Sequence, residues 1–193
     1  GVWADMNVEY AQRIRARFNY EIARGRLVVE QTALTAENIN DVVVALKLPE
    51  NLDLLSIDVD GNDYYVWAAL TAIQPRVVIV EYNAAFPPPV KLVQTYNADR
   101  MWDGTSYFGA SLQSLAELGT AKGYRLVGTN IAGVNAFFVR EDLWVNFPSA
   151  DAAALFNPPR YALGEYGFAT GHPPAIGPYE ALPIEAAKAG WFR

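Results

Sequence analysis

The sequence predicts an α/β protein of the doubly wound kind, with a mostly parallel sheet covered by helices. Short apolar runs alternate with segments of helical periodicity over residues 2–82, the pattern of βαβ units joined by right-handed crossovers. One of those runs, 76–82, is apolar almost throughout, as strands buried on both faces are, and the run Leu54, Leu55, Ser56, Ile57 within 52–58 reads as a short buried strand. The last two, Tyr124–Thr129 and 136–140, are separated only by NIAGVN, which suits a hairpin, so the sheet ends in an antiparallel pair.

The elements follow in order. The first strand runs from Val2 and closes at Asp5; Asn7 then caps a helix whose apolar residues Val8, Ala11, Ile14 and Phe18 recur at helical spacing. A β-branched run over 26–34 predicts the second strand, and Thr35 is placed to cap the helix carrying Ile39, Val42, Val43 and Leu46. Strand 52–58 leads into a helix over 63–72, and 76–82 forms the fourth strand. A long loop then begins at AAFPPPV and runs to Phe108, of a length that usually serves function. Ser111 opens a helix that Gly123 stops. Residues 147–193, rich in Pro, Gly, Ala and aromatics, form an irregular extension packed on a 1–146 domain, with a short helix near 184–189.

Composition narrows the function. The chain has 193 residues, half of them apolar and 19% charged, enough for a real core. A net charge of −6 with scattered Lys and Arg argues against nucleic acid as a partner. The absence of cysteine rules out disulfides and thiolate metal sites. No apolar stretch approaches the roughly 20 residues of a membrane span and no charged leader opens the chain, so a cytoplasmic protein is expected.

The stretch DVDGNDYYVW, Asp58 to Trp67, has the oxygen alternation of a calcium loop, yet Asp63 and Ala69 stand where an EF-hand needs glycine and a bidentate glutamate. It reads instead as a strand end followed by a helix start. Taken together, LLSIDVDGNDYYVWAAL, PRVVIVEYNAAF, GASLQSLAELGTAKGYRLVG and NAFFVR resemble the C-terminal two thirds of a class I S-adenosylmethionine-dependent methyltransferase. The FkbM-like branch is the nearest in pattern: its I-D-V-E-G motif is matched by Ile57, Asp58, Val59, Asp60 and Gly61. The resemblance covers about residues 1–142. It implies a Rossmann-like sheet whose first strand and glycine-rich loop would lie before Gly1, making this chain a fragment. The strands ending at Asp5 and Asp58 should then stand about two spacings apart, roughly 9 to 10 Å, as a gap or a rearranged pairing.

The resemblance also implies a cofactor, S-adenosylmethionine, and a small-molecule or sugar acceptor methylated on a hydroxyl. It places Asp5 at the cofactor ribose and Asp58 at the cofactor and acceptor cleft. Asp58, Asp60 and Glu81 are the candidate catalytic carboxylates, one of them serving as general base. No metal is required; the alternative is Mg2+ held by Asp58, Glu81 and Asn83 from adjacent strand ends. Asn62 and Asp63 are read as helix caps, and Tyr64, Tyr65 and Trp67 as packing against the sheet. Tyr96, Trp102, Tyr107 and Phe108 either wall a substrate pocket or cover the core. His172, the sole histidine, is given a surface or hydrogen-bonded structural role. The competing functions are a non-catalytic scaffold of the same fold and another Rossmann-like nucleotide enzyme.

Overall fold

In the computed structural model, which describes residues 1–148, 150–161, 171–173, 175 and 177–180, the chain is a mixed α/β structure with three separate hydrogen-bonded sheets. The helix expected near 184–189 lies outside the described residues.

At the amino end, β1 (Val2–Asp5) and β2 (Val28–Gln31) form a parallel ribbon of two. Helices α1 (Val8–Arg17) and α2 (Asn19–Ala23) connect them. Asn7 caps α1 as its position predicts, its Oδ1 accepting from the Glu9 and Tyr10 N–H groups. The ribbon covers this helix thinly: Ala11 is its sole buried residue and Val8 is exposed. The second strand is shorter than the β-branched run suggested. Thr35 does not cap the next helix either. Its own N–H donates to Asn38 Oδ1 at 2.8 Å, and α3 (Ile39–Ala45) starts only after Asn38.

The larger sheet has the order β3-β4-β7-β6. Strands β3 (Leu54–Ile57) and β4 (Val77–Glu81) are parallel, joined by α4 (Asp63–Ala69). A two-residue strand, β5 (Val93–Gln94), and helix α5 (Leu112–Ala121) follow. The hairpin of β6 (Tyr124–Thr129) and β7 (Asn135–Arg140) then inserts β7 antiparallel between β4 and β6. Ser111 caps α5 through the Ser114 N–H, and Gly123 follows it at φ +81°. The NIAGVN turn is tied by Asn130, whose Oδ1 accepts from Val134 and Asn135 N–H. Among the described residues β1 pairs with β2 alone and β3 with β4 alone, so no described strand joins the two sheets.

The core lies between the larger sheet and α3, α4 and α5. Helix α4 is buried along its length, with Tyr64, Tyr65, Val66 and Trp67 each no more than 4% exposed, as the packing reading of these aromatics required. Trp67 meets Phe138 of β7 at 4.7 Å and Tyr124 of β6 at 5.9 Å between ring centroids. Gly119 of α5 is small of necessity: a Cβ there would stand 2.8 Å from the Phe138 ring.

Beyond β7, a 3-10 helix (Glu141–Asn146), α6 (Ala152–Leu155) and β8 (Tyr179–Glu180) lie along the domain. β8 pairs antiparallel with β5. The Tyr82 hydroxyl donates to the Asn157 carbonyl at 2.6 Å, and the Pro158 carbonyl presses on Gly133, where any Cβ would collide at 2.4 Å. No helix among the described residues is long and apolar enough to cross a membrane.

Candidate active site

Two adjacent parallel strands deliver carboxylates to the same place. Asp58 follows β3 directly and Glu81 is the last residue of β4, so both emerge at the carboxyl edge of the sheet, where open α/β sheets bind ligands. Asp63 joins them. Asp58, Asp63 and Glu81 each bring a carboxylate oxygen within 4.8 Å of the other two.

Asp63 is therefore no helix cap. It is the first residue of α4 and 1% exposed, and its carboxylate turns back to accept from the Val59 N–H at 3.2 Å and the Gly61 N–H at 3.1 Å. Asn62, next to the helix, makes no capping hydrogen bond. The turn that aims Asp63 backwards is built by Asp60 at φ +54° and Gly61 at φ +103°. A Cβ on Gly61 would also lie 2.9 Å from Gln94 Oε1 and 3.1 Å from the Gly109 N. Gly61→Ala is accordingly expected to lower stability by about 2 to 3 kcal/mol, read as a shift in denaturation midpoint without a change in slope.

The electrostatics follow from burial without counter-charge. Among the described residues, none of Asp58, Asp60, Asp63 and Glu81 forms a salt bridge. Burial, then repulsion from Asp63, Asp58 and Asp60, pushes Glu81 up to about 9. Asp63 rises to about 7 through burial and the Asp58 charge, against the opposing pull of its backbone donors. Asp58, at the solvent-facing mouth, is raised for the same two kinds of reason, burial and then Asp60. Carboxylates this close cannot all ionise cheaply, so the cluster shares protons near neutral pH.

Asn83 does not belong with them. It is 1% exposed and its side chain is fully used: Nδ2 donates to the Ser106 and Phe108 carbonyls, both at 2.8 Å, and Oδ1 accepts from Ala85 N–H. Its work is to hold the long loop down over the sheet. If a divalent cation binds here, its oxygens come from Asp58, Asp63 and Glu81, a set that suits Mg2+ or Ca2+.

A cavity of about 220 Å³ opens over the cluster, lined by Asp58, Asp60, Glu81, Trp102, Phe108 and His172. Trp102 and Phe108 thus wall the pocket, whereas Tyr96 packs on Tyr65 at 5.0 Å and bonds Glu37 at the edge of α3, covering the core. Tyr107 lies under Arg100 at 4.4 Å and against Tyr179 at 5.0 Å, bracing the loop. His172 is not a remote surface residue: its ring sits 4.5 Å from Trp102, 4.6 Å from Tyr161 and 5.8 Å from Phe108, and burial lowers its pKa. Asp5 does not line this cavity; its Oδ1 accepts from the Asn7 N–H at 2.8 Å at the end of β1.

A larger, more open groove of about 500 Å³ lies at the opposite end of the sheet, around Asn51, Gln74 and Arg140. The Arg140 guanidinium there is already taken by Asp142, Asn51 Oδ1 and the Gln74 carbonyl. With Arg140 and Asp142 paired to each other, that groove gathers no comparable cluster of unpaired carboxylates.

Compared with known proteins, the chain matches no family model, no curated protein and no solved structure.

Proposed function

We propose that the protein is a Rossmann-like methyltransferase that moves a methyl group from S-adenosylmethionine to a hydroxyl of a small molecule or sugar. The observation that carries this reading is the carboxylate cleft at the ends of β3 and β4, in a sheet whose next strand, β7, runs antiparallel between β4 and β6. That order agrees with the methyltransferase ending that the sequence resembles. The break between β1 and β3 agrees with the place where the resemblance puts one further strand.

When bound, the cofactor supplies an electrophilic methyl on a sulfonium. A cleft with unpaired carboxylates suits such a cation, and Asp5 keeps Oδ2 for a ribose hydroxyl, since the Asn7 N–H occupies only Oδ1. The chain's own residues then orient the acceptor and take its proton. With the methyl group supplied by the cofactor, the acceptor hydroxyl would lose its proton to a carboxylate of this chain as its oxygen takes the methyl and the cofactor leaves as the neutral thioether. Asp58 faces the cavity and is the group placed to receive that proton, while Glu81, which keeps its own proton near neutral pH, is placed to hydrogen-bond the acceptor. Alignment of the acceptor by the walls supplies the rest.

Calorimetric titration of the complete gene product with S-adenosylmethionine, and with NAD as control, tests the reading. Saturable heat with S-adenosylmethionine alone is expected, together with methyl transfer to a polyhydroxylated acceptor that Asp58→Asn lowers by about 10²- to 10⁴-fold. Heat with NAD alone would move the assignment to another nucleotide enzyme, and heat with neither to a scaffold.

A further inference from the structure

We propose that the cavity over the carboxylates binds an organic cation, so that the acceptor of the methyl group carries an ammonium group, as an amino alcohol or amino sugar does. This identifies the acceptor class for the reading above and rests on it.

Half of the cavity's lining is acidic and half is aromatic. Asp58 and Asp60 supply the charge and Glu81 a third carboxyl group, and none of them is balanced by a described lysine or arginine. Glu81 accepts no hydrogen bond from any described residue. Trp102, Phe108 and His172 supply ring surfaces, with Tyr161 stacked behind His172 at 4.6 Å. Among the described residues, every side-chain cation that sits over a ring does so elsewhere, on Phe18, Tyr20, Tyr107 or Trp144. The rings at the cavity are therefore free to receive one from outside.

The combination separates the possible cations. A divalent metal takes six or more oxygen ligands and gains nothing from a wall of indole and phenyl. An alkylammonium is attracted both by carboxylates and by ring faces, and its carbon substituents are desolvated favourably against the same rings. A volume of about 220 Å³ admits an ammonium head with a short carrier and excludes a bulky ligand. The surrounding titratable groups, Asp58 and Asp60 on the loop, Asp63 on α4, and Tyr161 and His172 on the C-terminal segment, include no permanent positive charge.

The test titrates the chain with choline, with its neutral isostere 3,3-dimethyl-1-butanol, and with Mg2+, by calorimetry. Choline should saturate, and the isostere should bind at least about ten-fold more weakly. Trp102→Leu, which keeps an apolar side chain at an exposed position, and Asp58→Asn should each weaken choline by about ten-fold while circular dichroism is unchanged. Equal binding of choline and its isostere would overturn the proposal. So would failure of choline to bind, or Mg2+ binding that excludes choline and is indifferent to Trp102→Leu, which would make the cleft a metal site. Choline binding without S-adenosylmethionine binding would remove the methyltransferase reading and leave the cation site. The converse result would remove only the cation site.

Discussion

Glu81→Gln is expected to make the protein more stable at pH 8.5, by about 2 kcal/mol, and to flatten the loss of stability on the alkaline side. The sign follows from proton counts. In the unfolded chain this carboxyl ionises near its ordinary value of 4.5, but in the folded cluster it holds its proton to about 9. Between those values the native state binds more protons than the unfolded one, so stability falls as pH rises through the window. Asp63 adds to the same slope between 3.8 and about 7. Glutamine keeps the shape and removes the charge that alkali would otherwise force into the cleft. One pKa unit corresponds to about 1.4 kcal/mol, and neighbours in a shared cluster take up part of what one substitution relieves, hence the modest figure. Urea denaturation at pH 5 and pH 8.5 checks it: the variant should equal the parent at the lower pH and exceed it at the higher. A parent whose stability is flat over this range would contradict the proton-sharing cluster. The same variant is expected to lose methyl transfer, so stability and function move in opposite directions at a single residue.

Trp67→Ala is expected to produce the largest loss of stability, about 3 to 5 kcal/mol. The indole is 1% exposed and its neighbours belong to three elements: Phe138 in β7, Tyr124 in β6 and Gly119 in α5. Those neighbours cannot all close on the space it leaves. Gly119 has no side chain to move, and Phe138 and Tyr124 are fixed to paired strands. Trp67→Phe should recover about half of the loss. Thermal denaturation of both variants decides the point, and a loss under about 1 kcal/mol for alanine would show that the helix is not seated as described.

What the sequence disclosed was local, and what it withheld depended on distant residues. Asn7 and Ser111 cap their helices because the donors they serve lie two or three residues away. The hairpin of β6 and β7 was legible for the same reason. Asp58 and Glu81 could be put at strand ends because the apolar runs before them are unambiguous. Asp63 was misread: an acidic residue at a helix start normally faces the free N–H groups of the first turn. The left-handed Asp60–Gly61 pair reverses the chain, and that geometry shows in the sequence only as a glycine two residues before Asp63. Asn83 looked like a ligand because it stands two residues from Glu81, yet its partners, Ser106 and Phe108, are more than twenty residues on. His172 offered no local signal at all, since its neighbours Trp102 and Phe108 are reached only through the folded C-terminal segment.

That last feature also bears on how the protein assembles. The cleft is bounded by Asp58 at one end of the sequence and His172 at the other, so its final wall closes a loop of more than a hundred residues. In an unstructured chain, bringing such ends together costs on the order of 4 kcal/mol in configurational entropy before any contact repays it. Neither ring stacking at His172 nor the single pairing of β8 with β5 outweighs that alone. The wall must therefore wait until the sheet, α4 and α5 have already shortened the path between its ends, which makes the binding cavity the product of folding and no part of its nucleus.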